Sequence, residues 1–413
     1  MMTLGHILKR IKQELIQRKT PYAILSWRYL LPGQSIAVRR HRAVLLGAWP
    51  KLPRPVWWAL ALLSYGRWYF WFGWAALYRA IFKLRKHEHN TAALSTSQGA
   101  RISAMNQAAH LLLLTFAHAI PPHFYYQYRL YRYPRAQWLN FVFTHELPYW
   151  HHLLSPNVTD AERKLMTNKA HFSKVMTLAG LPAIATIKRL KLGEIIDSAA
   201  LFQQQSLFIK PLAGSQKRDC YTLRHQSTLP NYALKGPYET QDLLGIKQTL
   251  QTLANAQPLL LQPLLENHAA LAPYCPDGML ATIRLVTLKQ KSGFKALSAV
   301  LEIPMSHEEK TIMPYPIDCE TGELGEASVH TALVSDEAIL QGLEELPGMK
   351  VPHWCRAIEV AEAAHSHLPN IYGIGWDLAI TPVGVALIEG NVNWGVAGHQ
   401  HGGLTLANLN LCE

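Results

Sequence analysis

The stretch from Ile371 to Gly395 constrains this chain more than any other part of its sequence. It reads I-Y-G-I-G-W-D-L-A-I-T-P-V-G-V-A-L-I-E-G-N-V-N-W-G, with an apolar run on either side of a Thr-Pro-Val-Gly turn. Two such runs joined by a short turn predict a β-hairpin. Glu389 and Asn391 lie two residues apart, so they project from one face of a strand, and the turn folds Asp377 back beside them.

Three oxygen-bearing side chains on an apolar hairpin indicate a metal site. A carboxylate is costly to bury unless a partner compensates its charge, and coordination of a metal ion is one of the few adequate partners. Mg²⁺, or Mn²⁺, takes hard oxygen ligands and completes its shell with water and substrate phosphates. The hairpin therefore predicts a metal site at Asp377, Glu389 and Asn391, and with it a bound nucleotide. The alternative is a hairpin whose acids simply lie at a solvated rim.

The spacing Asp377…Glu389-x-Asn391 resembles the metal-binding end of the ATP-grasp enzymes. More narrowly, G-W-D-L-A-I-T-P-V-G-V-A-L-I-E-G-N resembles the alpha-L-glutamate-ligase-related, sugar-transfer-associated branch of that superfamily. The resemblance rests on several ordered motifs between Asn168 and Gln400. It implies an α+β ATP-grasp fold for residues 159–413, in which two α+β lobes clamp ATP, preceded by a mostly helical, Trp-rich N-terminal region.

The same resemblance assigns four residues to the nucleotide phosphates. Lys210 ends the apolar strand L-F-I-K-P, where a lysine is disfavoured unless its ammonium meets an anion. The loop after it contains Ser215 and Lys217 but a single glycine, so charged side chains replace closely approaching backbone amides in clamping the phosphates. Arg284, in A-T-I-R-L-V-T-L, is implied to face the phosphates from another strand. Lys210 and Arg284 are the expected catalytic residues.

A second segment, Q-P-L-L-E-N-H, resembles the adenine hinge of these enzymes. The resemblance implies that the backbone at Gln262 and Leu264 holds the purine, and that Glu266 faces the ribose or the hinge. Without the resemblance, this segment and the one around Arg284 are two ordinary core strands. Gln400 occupies the position of a recurring glutamine, in a tail that lines the active site in relatives.

Several elements are predicted around these motifs. T-D-A-E at Thr159 is a capping box, and it predicts one helix that continues to the G-L-P turn at Gly180. The run N-K-A-H-F-S-K-V-M-T-L-A-G-L-P-A resembles the entry helix of ATP-grasp domains. The proline-rich and glycine-rich segment 310–325 predicts loops and a small hairpin, whereas 337–345 and 354–367 predict helices.

The length and composition of the chain predict a globular protein of two to three domains. Of its 413 residues 49% are apolar and 16% are charged, which excludes a disordered chain. The five cysteines are scattered and form no C-x-x-C motif, so neither a disulfide framework nor a zinc site is indicated. A reducing cytosol fits this pattern. The N-terminus lacks the short apolar region and cleavage site of a secretory signal.

Basic residues are concentrated in the N-terminal part. From Met1 to Asn168 there are 22 Lys and Arg against five Asp and Glu, a net charge of +17. Residues 3–19 place their apolar side chains at helical spacing with lysines and arginines largely on other faces. This pattern predicts a basic amphipathic helix, which either lies in an anionic membrane interface or packs on a core.

The segment from Trp57 to Phe82 is apolar over a length that can span a bilayer, about 20 residues. Arg67 lies near its middle, and its five tryptophans are not confined to its two ends. We therefore expect residues 1–88 to associate peripherally with the inner face of a membrane. The alternative is a Trp-rich interface with another subunit. We expect residues 89–99 to be a polar linker and residues 100–158 to be a helical connecting region.

Two further segments complete the N-terminal part. Ile102–Ala119 predicts a buried helix. Phe124–Tyr133 interleaves arginines with tyrosines, as surfaces that stack nucleic-acid bases do, but no nucleic-acid-binding motif accompanies it. We therefore expect no nucleic-acid partner, and a helix that covers the catalytic region or touches the membrane.

The resemblance implies an ATP- and Mg²⁺-dependent ligase that activates a carboxylate as an acyl phosphate for attack by an amine. The expected acceptor is a small molecule, a saccharide or a lipid-linked precursor used in cell-surface polysaccharide biosynthesis. Two alternatives remain open, an ATP-grasp kinase that phosphorylates a hydroxyl and a non-catalytic membrane-bound nucleotide sensor. The full Asp377, Glu389 and Asn391 set disfavours the sensor, since a sensor has no need of it.

Overall fold

The structure is a computed structural model that describes residues 18–47, 53–84, 102–195, 206–212, 220–225, 232–236, 239–305, 312–327, 345–406 and 409. These residues divide into two compact units. The N-terminal unit contains the residues up to Pro156 together with those from Gly395 onward. The C-terminal unit contains those between Asn157 and Trp394. The last residues of the chain therefore belong to the same unit as the first.

The N-terminal unit is helical. Its α-helices are α1 (Ile36–Gly47), α2 (Arg54–Arg67), α3 (Gly73–Arg79), α4 (Ala104–Leu112), α5 (Phe124–Gln127), α6 (Leu147–Leu154) and, at the end of the chain, α11 (Ala397–His401). Its π-helical segments are Trp68–Phe72, Ala80–Leu84 and Leu113–Ala117, and its 3₁₀ turns are Trp27–Leu30, Leu130–Arg132 and Arg135–Asn140.

Aromatic side chains fill the core of the N-terminal unit. Tyr125, Trp138, Phe143 and Trp150 are almost completely buried, and other tyrosines of the segment Phe124–Tyr133 are buried beside them. That segment is only partly the helix that the sequence predicts. It folds into α5 and a 3₁₀ turn because its aromatic rings pack inward on both sides, which leaves no polar face for a surface helix.

A buried ion pair ties separate segments of this unit together. The Glu146 carboxylate accepts a hydrogen bond from the backbone N–H of Ile24 at 3.1 Å and lies 3.0 Å from Nδ1 of His41. The other ring nitrogen of His41 lies 2.9 Å from the carbonyl oxygen of Leu139. Burial raises the pKa of Glu146, but His41 and the hydrogen bonds outweigh burial, so that the pKa is lowered.

The Trp-rich segment forms a run of helix in which α2, a π segment, α3 and a second π segment follow one another directly from Arg54 to Leu84. Within the described residues, no helix combines enough length with enough apolar character to cross a membrane. The predicted buried helix Ile102–Ala119 is α4 with its π extension. It is only partly buried, since Met105 is 80% exposed.

The C-terminal unit combines helices with two antiparallel sheets. Its helices are α7 (Asp160–Thr167), α8 (Lys169–Leu178), α9 (Leu243–Ala256) and α10 (Trp354–Ser366), and short 3₁₀ turns cover Ala272–Tyr274 and Pro276–Gly278. Its strands are β1 (Lys188–Leu190), β2 (Leu207–Pro211), β3 (Tyr221–His225), β4 (Tyr232–Lys235), β5 (Leu259–Pro263), β6 (Thr282–Gln290), β7 (Gly293–Pro304), β8 (Ile312–Ile317), β9 (Gly373–Thr381) and β10 (Gly384–Asn391). The unit is therefore α+β, as the sequence predicts.

The first sheet has the strand order β1-β5-β2-β3-β4. One face of the sheet is covered by α9, whose residues Ile246, Leu250 and Ala254 recur at helical spacing and are fully buried. The alternation of buried side chains along β2 and β3 continues this core. Lys210 sits near the end of β2, within the same sheet.

The second sheet has the order β10-β9-β6-β7-β8, and its pairs are antiparallel. Helix α10 packs on it through Ala357, Val360, Ala361 and Ala364, small residues that let the helix approach the strands closely. The predicted helix at 354–367 is confirmed. The hairpin at the centre of the sequence is also confirmed, because β9 and β10 pair across a turn.

The prediction of loops and a small hairpin between residues 310 and 325 is partly wrong. Ile312–Ile317 is a regular strand, β8, although it contains Pro314 and Pro316. Proline lacks a backbone N–H and so cannot donate a hydrogen bond to a neighbouring strand. Because β8 lies at the edge of its sheet, its outward-facing positions have no neighbouring strand, and proline is tolerated there. The predicted small hairpin is present after β8, where Ile317 and Leu324 form an antiparallel bridge around a turn in which the Asp318 side chain accepts from two backbone N–H groups.

The single helix predicted after the capping box is wrong. The capping box itself is present, since Thr159 and Glu162 satisfy each other's backbone N–H groups. The helix ends at Thr167, and Asn168 has φ −105° and ψ 96°. The Asn168 side chain accepts a hydrogen bond from the backbone N–H of His171, so it caps a second helix, α8. Lys169 consequently opens a helix.

Some predictions lie outside the described residues. These are the amphipathic helix at 3–19, apart from its last two residues, the linker at 89–99, most of the phosphate loop with Ser215 and Lys217, and the helix at 337–345, apart from its last residue.

Candidate active site

The hairpin brings two of the predicted metal ligands face to face. Glu389 on β10 pairs directly with Asp377 on β9, and Asn391 pairs with Gly375. Directly paired residues project from the same face of a sheet, and so do residues two apart on a strand. Asp377, Glu389 and Asn391 therefore share one face. A register shift between Leu387 and Glu389 sets this pairing, because it moves the acid onto the face opposite to the buried leucine.

Arg284 extends this group onto the next strand. It pairs directly with Asp377 across β6 and β9, and its Nε lies 3.8 Å from Oδ1 of Asp377. The same Nε donates to Oε2 of Glu302 on β7 at 2.8 Å. Burial lowers the pKa of Arg284, but Asp377 and Glu302 outweigh burial and raise it, so the guanidinium remains charged.

These residues form a row of charges across four adjacent strands of the second sheet. In strand order the row is Glu389, Asp377, Arg284 and Glu302. We call it the charged row. A row of this kind on an otherwise apolar sheet is costly unless each charge has a partner, and the row holds one cation for three carboxylates. Its negative excess is suited to bind further cations.

Two lysines supply positive charge next to the row. The Lys169 Nζ lies 3.6 Å from Oε2 of Glu389. Lys210 of the first sheet is 7% exposed, and both Glu389 and Asp377 act on it electrostatically. Burial and the neighbouring Lys169 lower the pKa of Lys210 to about 8, against the opposing effect of Glu389 and Asp377. Lys210 of the first sheet therefore lies near enough to Asp377 and Glu389 of the second sheet to interact with them electrostatically.

The donor set fits a magnesium ion with phosphates. Within the described ranges no group of three His, Cys, Asp or Glu residues is placed to hold a metal. The candidate set is instead two carboxylates, Asp377 and Glu389, with the amide of Asn391. Mg²⁺ needs only one or two carboxylates, because water and phosphate oxygens complete its shell. Lys169 and Lys210 are placed to meet the charge of those phosphates.

The predicted hinge lies at the end of β5 in the first sheet. Gln262 is buried, its Nε2 donates to the carbonyl of Ile184 at 3.4 Å, and its Oε1 has no hydrogen-bond partner among the described residues. A buried acceptor without a donor is the kind of group that an amino group of a purine satisfies. Glu266 is exposed, three residues beyond the strand.

The backbone at Leu264 differs from the expectation. Its N–H donates to the carbonyl of Ser206 at 3.0 Å, so this amide is already used within the first sheet. The expectation that backbone amides around Leu264 hold the base is therefore wrong for this N–H.

Gln400 is also placed differently. It lies in the N-terminal unit, where its side-chain amide pairs with both backbone groups of Val142, at 2.6 and 2.9 Å. Both ends of the amide are thereby used, and Gln400 has a structural role in that unit.

Sequence reasoning missed Glu302 and undervalued Lys169. Glu302 interrupts the apolar strand S-A-V-L-E-I-P, the same signal that pointed to Asp377. Lys169 follows a residue type that favours helix N-caps, and this signal could have placed it at a helix start. Neither signal reveals which charges become neighbours.

A model of the family described as "Sugar-transfer associated ATP-grasp" matches residues 150–410, more than half of the chain. No curated protein matches the sequence. Among solved structures, the VanG D-Ala:D-Ser ligase from Enterococcus faecalis is 12% identical with a TM-score of 0.37, over 61% of this chain and 62% of that one.

Two further solved structures are similar at the same level. D-alanyl-alanine synthetase A from Vibrio cholerae is 13% identical with a TM-score of 0.34, over 58% of this chain and 59% of that one. The ATP-grasp ligase PsnB, complexed with a minimal precursor, is 13% identical with a TM-score of 0.33, over 65% of this chain and 69% of that one. For VanG and the Vibrio protein the match spans less than two thirds of their own length.

Proposed function

The chain belongs to the sugar-transfer-associated ATP-grasp family and has the ATP-binding ligase fold of that superfamily, and from this premise we propose that it is an ADP-forming ligase that joins a carboxylate to an amine. One observation carries the proposal, namely the charged row of the second sheet with Lys169 and Lys210 beside it. Carboxylates for a metal and cations for phosphates lie together in one unit.

The proposed reaction has two steps. The γ-phosphoryl group of ATP passes to the substrate carboxylate, which gives an acyl phosphate and ADP. The amine then attacks the acyl carbon and displaces inorganic phosphate, and the amine loses a proton to the surroundings. Neither step needs a covalent bond to the enzyme, so no nucleophilic side chain is required.

Each residue of the site has a proposed role. Asp377, Glu389 and Asn391 would hold Mg²⁺, and the bound ion would neutralise negative charge on the phosphates of ATP. Lys210 binds phosphate oxygens as a cation, since a pKa of about 8 leaves it mostly protonated at neutral pH. Arg284 is held by Glu302 on one side and presents its remaining guanidinium N–H groups to the transferred phosphoryl group.

The experiment that tests the reaction class is a hydroxylamine trap. The full-length protein is incubated with MgATP, hydroxylamine and a panel of carboxylates that includes amino acids and uronic-acid saccharides. A ligase of this class forms a hydroxamate and ADP in equal amounts with one of them. The Glu389→Ala variant serves as the control and should form neither product.

The alternative functions give different results in the same assay. A kinase forms ADP and a phosphoester with a hydroxyl-bearing compound and never forms a hydroxamate. A nucleotide sensor binds ATP without turnover. Either result, obtained across the panel with folded protein, would overturn the ligase proposal.

We also propose that the enzyme works in the cytosol at the inner face of a membrane, on a saccharide or lipid-linked acceptor. The net charge of +17 in residues 1–168 supports this location, because anionic lipid attracts it. A cytosolic catalytic unit has access to ATP. Assays of the purified enzyme with water-soluble and lipid-linked forms of one acceptor, with and without vesicles, test the proposal: a preference for the soluble form would contradict it.

A further inference from the structure

The helical run from Arg54 to Leu84 is apolar on two sides. One side packs into the N-terminal unit through buried residues that include Trp57, Tyr65, Trp68 and Leu77. The other side exposes large apolar side chains to solvent, and we call it the outer stripe. Its members, besides Val56 and Leu63, are Trp58, Leu62, Phe70, Trp71, Trp74, Tyr78 and Phe82.

The π-helical segments keep this stripe on one side. In an α-helix of about 3.6 residues per turn, positions four apart drift around the axis by about 40° at each step. Most members of the outer stripe are four apart, so they would wind around a long α-helix. A π turn closes its hydrogen bond from i to i+5 and holds more residues than an α turn. The segments Trp68–Phe72 and Ala80–Leu84 thereby offset the drift.

The outer stripe is strongly exposed rather than partly covered by its own unit. Phe70 is 85% exposed and Trp71 is 71% exposed. Helix α4 with its π extension packs beside the run on another side, where Trp68 Nε1 donates to the carbonyl of Thr115 at 2.9 Å. A surface helix normally presents a polar face to water, and water is a poor environment for this many aromatic rings.

The charges of the same unit distinguish between two possible partners of the outer stripe, a second copy of the chain and an anionic membrane. Glu146 is its only acidic residue among those described, and it is buried against His41. Exposed arginines are common, by contrast: Arg28, Arg39, Arg42, Arg54 and Arg79. The described surface of this unit therefore carries cations without any exposed carboxylate. Two copies of such a surface repel each other, whereas an anionic lipid surface complements it.

We propose that the outer stripe is a membrane-contact surface that lies in the interfacial layer of an anionic bilayer, with its helical run along the plane of the membrane. Trp and Tyr favour this layer because their rings are apolar and their polar atoms remain near the headgroups. The exposed arginines pair with lipid phosphates. Arg67, whose guanidinium lies 4.9 Å from the Phe72 ring centre, is covered by an aromatic face next to the stripe. The inference rests on the proposed membrane location and is independent of the ligase chemistry.

The test measures binding of the full-length protein to vesicles by co-sedimentation, without nucleotide or acceptor. The vesicles are pure phosphatidylcholine or phosphatidylcholine with 30 mol% phosphatidylglycerol, roughly the anionic content at which an electrostatic term becomes measurable. We expect strong binding to the anionic vesicles, weaker binding to the neutral ones, and partial release by salt. Vesicles with brominated acyl chains should quench part of the tryptophan fluorescence.

The double variant Phe70→Ser/Trp71→Ser removes the two most exposed rings of the stripe. Binding to anionic vesicles should fall by about tenfold or more, because each ring contributes to burial in the interface. Leu178→Ser, which changes an exposed apolar residue of the C-terminal unit, is the matched control and should bind like the wild type. The far-UV circular dichroism spectrum and the midpoint of thermal unfolding should be unchanged in both variants, which shows that both are folded.

Three results would overturn the inference. The wild type remains in the supernatant with anionic vesicles; the double variant binds as tightly as the wild type; or the wild type is a stable oligomer that the double variant dissociates, which would make the stripe a subunit interface. None of these results bears on hydroxamate formation, so a failure here and a failure of the ligase proposal are distinguishable.

Discussion

Glu302 Oε2 accepts a hydrogen bond from Nε of Arg284 at 2.8 Å, two strands away from the hairpin that carries Asp377 and Glu389. Nε is the guanidinium nitrogen nearest the side-chain stem. A partner at this nitrogen fixes the plane of the group and leaves the outer N–H groups for another anion. Glu302 thus orients the cation that we assign to the transferred phosphoryl group.

Replacing Glu302 should lower kcat more than it changes KM for ATP. In Glu302→Ala the guanidinium loses its orienting acceptor, and misplacement of one catalytic group is expected to lower kcat by about ten- to a hundredfold. Glu302→Gln retains an acceptor oxygen and should recover most of the rate. Steady-state kinetics on the three proteins measure the effect. An equal loss in the Gln and Ala variants would show that the charge of Glu302, rather than its hydrogen bond, matters.

Each of Asp377→Ala, Glu389→Ala and Asn391→Ala should abolish Mg²⁺-dependent turnover while the protein stays folded. Loss of a phosphate-bridging metal removes several kcal/mol of transition-state stabilisation, on the order of a thousandfold in rate. ADP release at saturating MgATP is the measurement. Glu359→Ala, an exposed acid on α10 that pairs with Arg356, is the control and should keep full activity. ADP release at the wild-type rate by Glu389→Ala would remove this residue from the metal set.

Lys210→Ala should weaken binding of a non-hydrolysable ATP analogue by about 1.5–3 kcal/mol, the range for one charge-assisted contact. Unchanged affinity and turnover would show that Lys210 is a core residue of the first sheet and nothing more. Titration calorimetry gives the affinity directly.

The affinity of the wild type for ATP should depend on pH. In the free protein the pKa of Lys210 is about 8, and bound phosphates raise it, so binding takes up a proton near pH 8. As pH rises above about 8, affinity should fall by up to about tenfold per pH unit until the pKa of the bound form is reached. Calorimetry in two buffers of different ionisation enthalpy measures the proton uptake.

The variant Lys210→Arg provides the contrast, because arginine stays charged over this whole range. The affinity of this variant for ATP should be nearly constant from about pH 7 to about pH 9, a range that brackets the pKa of about 8 of Lys210 in the wild type. A parallel decline in both proteins would assign the pH dependence to another group.

Asn168→Ala should destabilise the C-terminal unit by about 1 kcal/mol, since it removes the N-cap of α8. It should also weaken ATP binding, because Lys169 is the first residue of that helix and its position depends on the cap. Asn168→Ser keeps a capping oxygen and should behave like the wild type. Urea unfolding and calorimetry measure the two effects. Normal ATP affinity in a destabilised Asn168→Ala would separate Lys169 from the nucleotide.

The hairpin of the site was predictable because its information is local. The apolar runs, the turn and the acids all fall within 371–395, and the pairing of Glu389 with Asp377 follows from the short connection. The charged row was not predictable in the same way. Arg284 and Glu302 reach it through the pairing of β6 with β9 and β7, and the register of distant strands is set by packing across the whole sheet.

The incorrect predictions of secondary structure have separate physical causes. Periodic apolar residues on both sides of Asn168 predict one helix, and only the side chain of Asn168 itself, which competes for a backbone N–H, divides it into two. The prolines of β8 predict a loop, and the strand survives because it has a free edge. Gln400 was assigned by resemblance alone, and its true partner is a backbone segment 258 residues away.

That separation has a consequence for how the protein is made. During synthesis from the N-terminus, Val142 leaves the ribosome long before Gln400 is made. The N-terminal unit therefore cannot complete its fold until the entire C-terminal unit has been synthesised. Until then the buried N–H and carbonyl of Val142 have no Gln400 amide to pair with, and a buried polar group without a partner costs about 1–3 kcal/mol. A message cut short after Trp394 would therefore yield a chain with a complete C-terminal unit and an incomplete N-terminal unit, and the defect would extend to Val142, far from the cut in sequence.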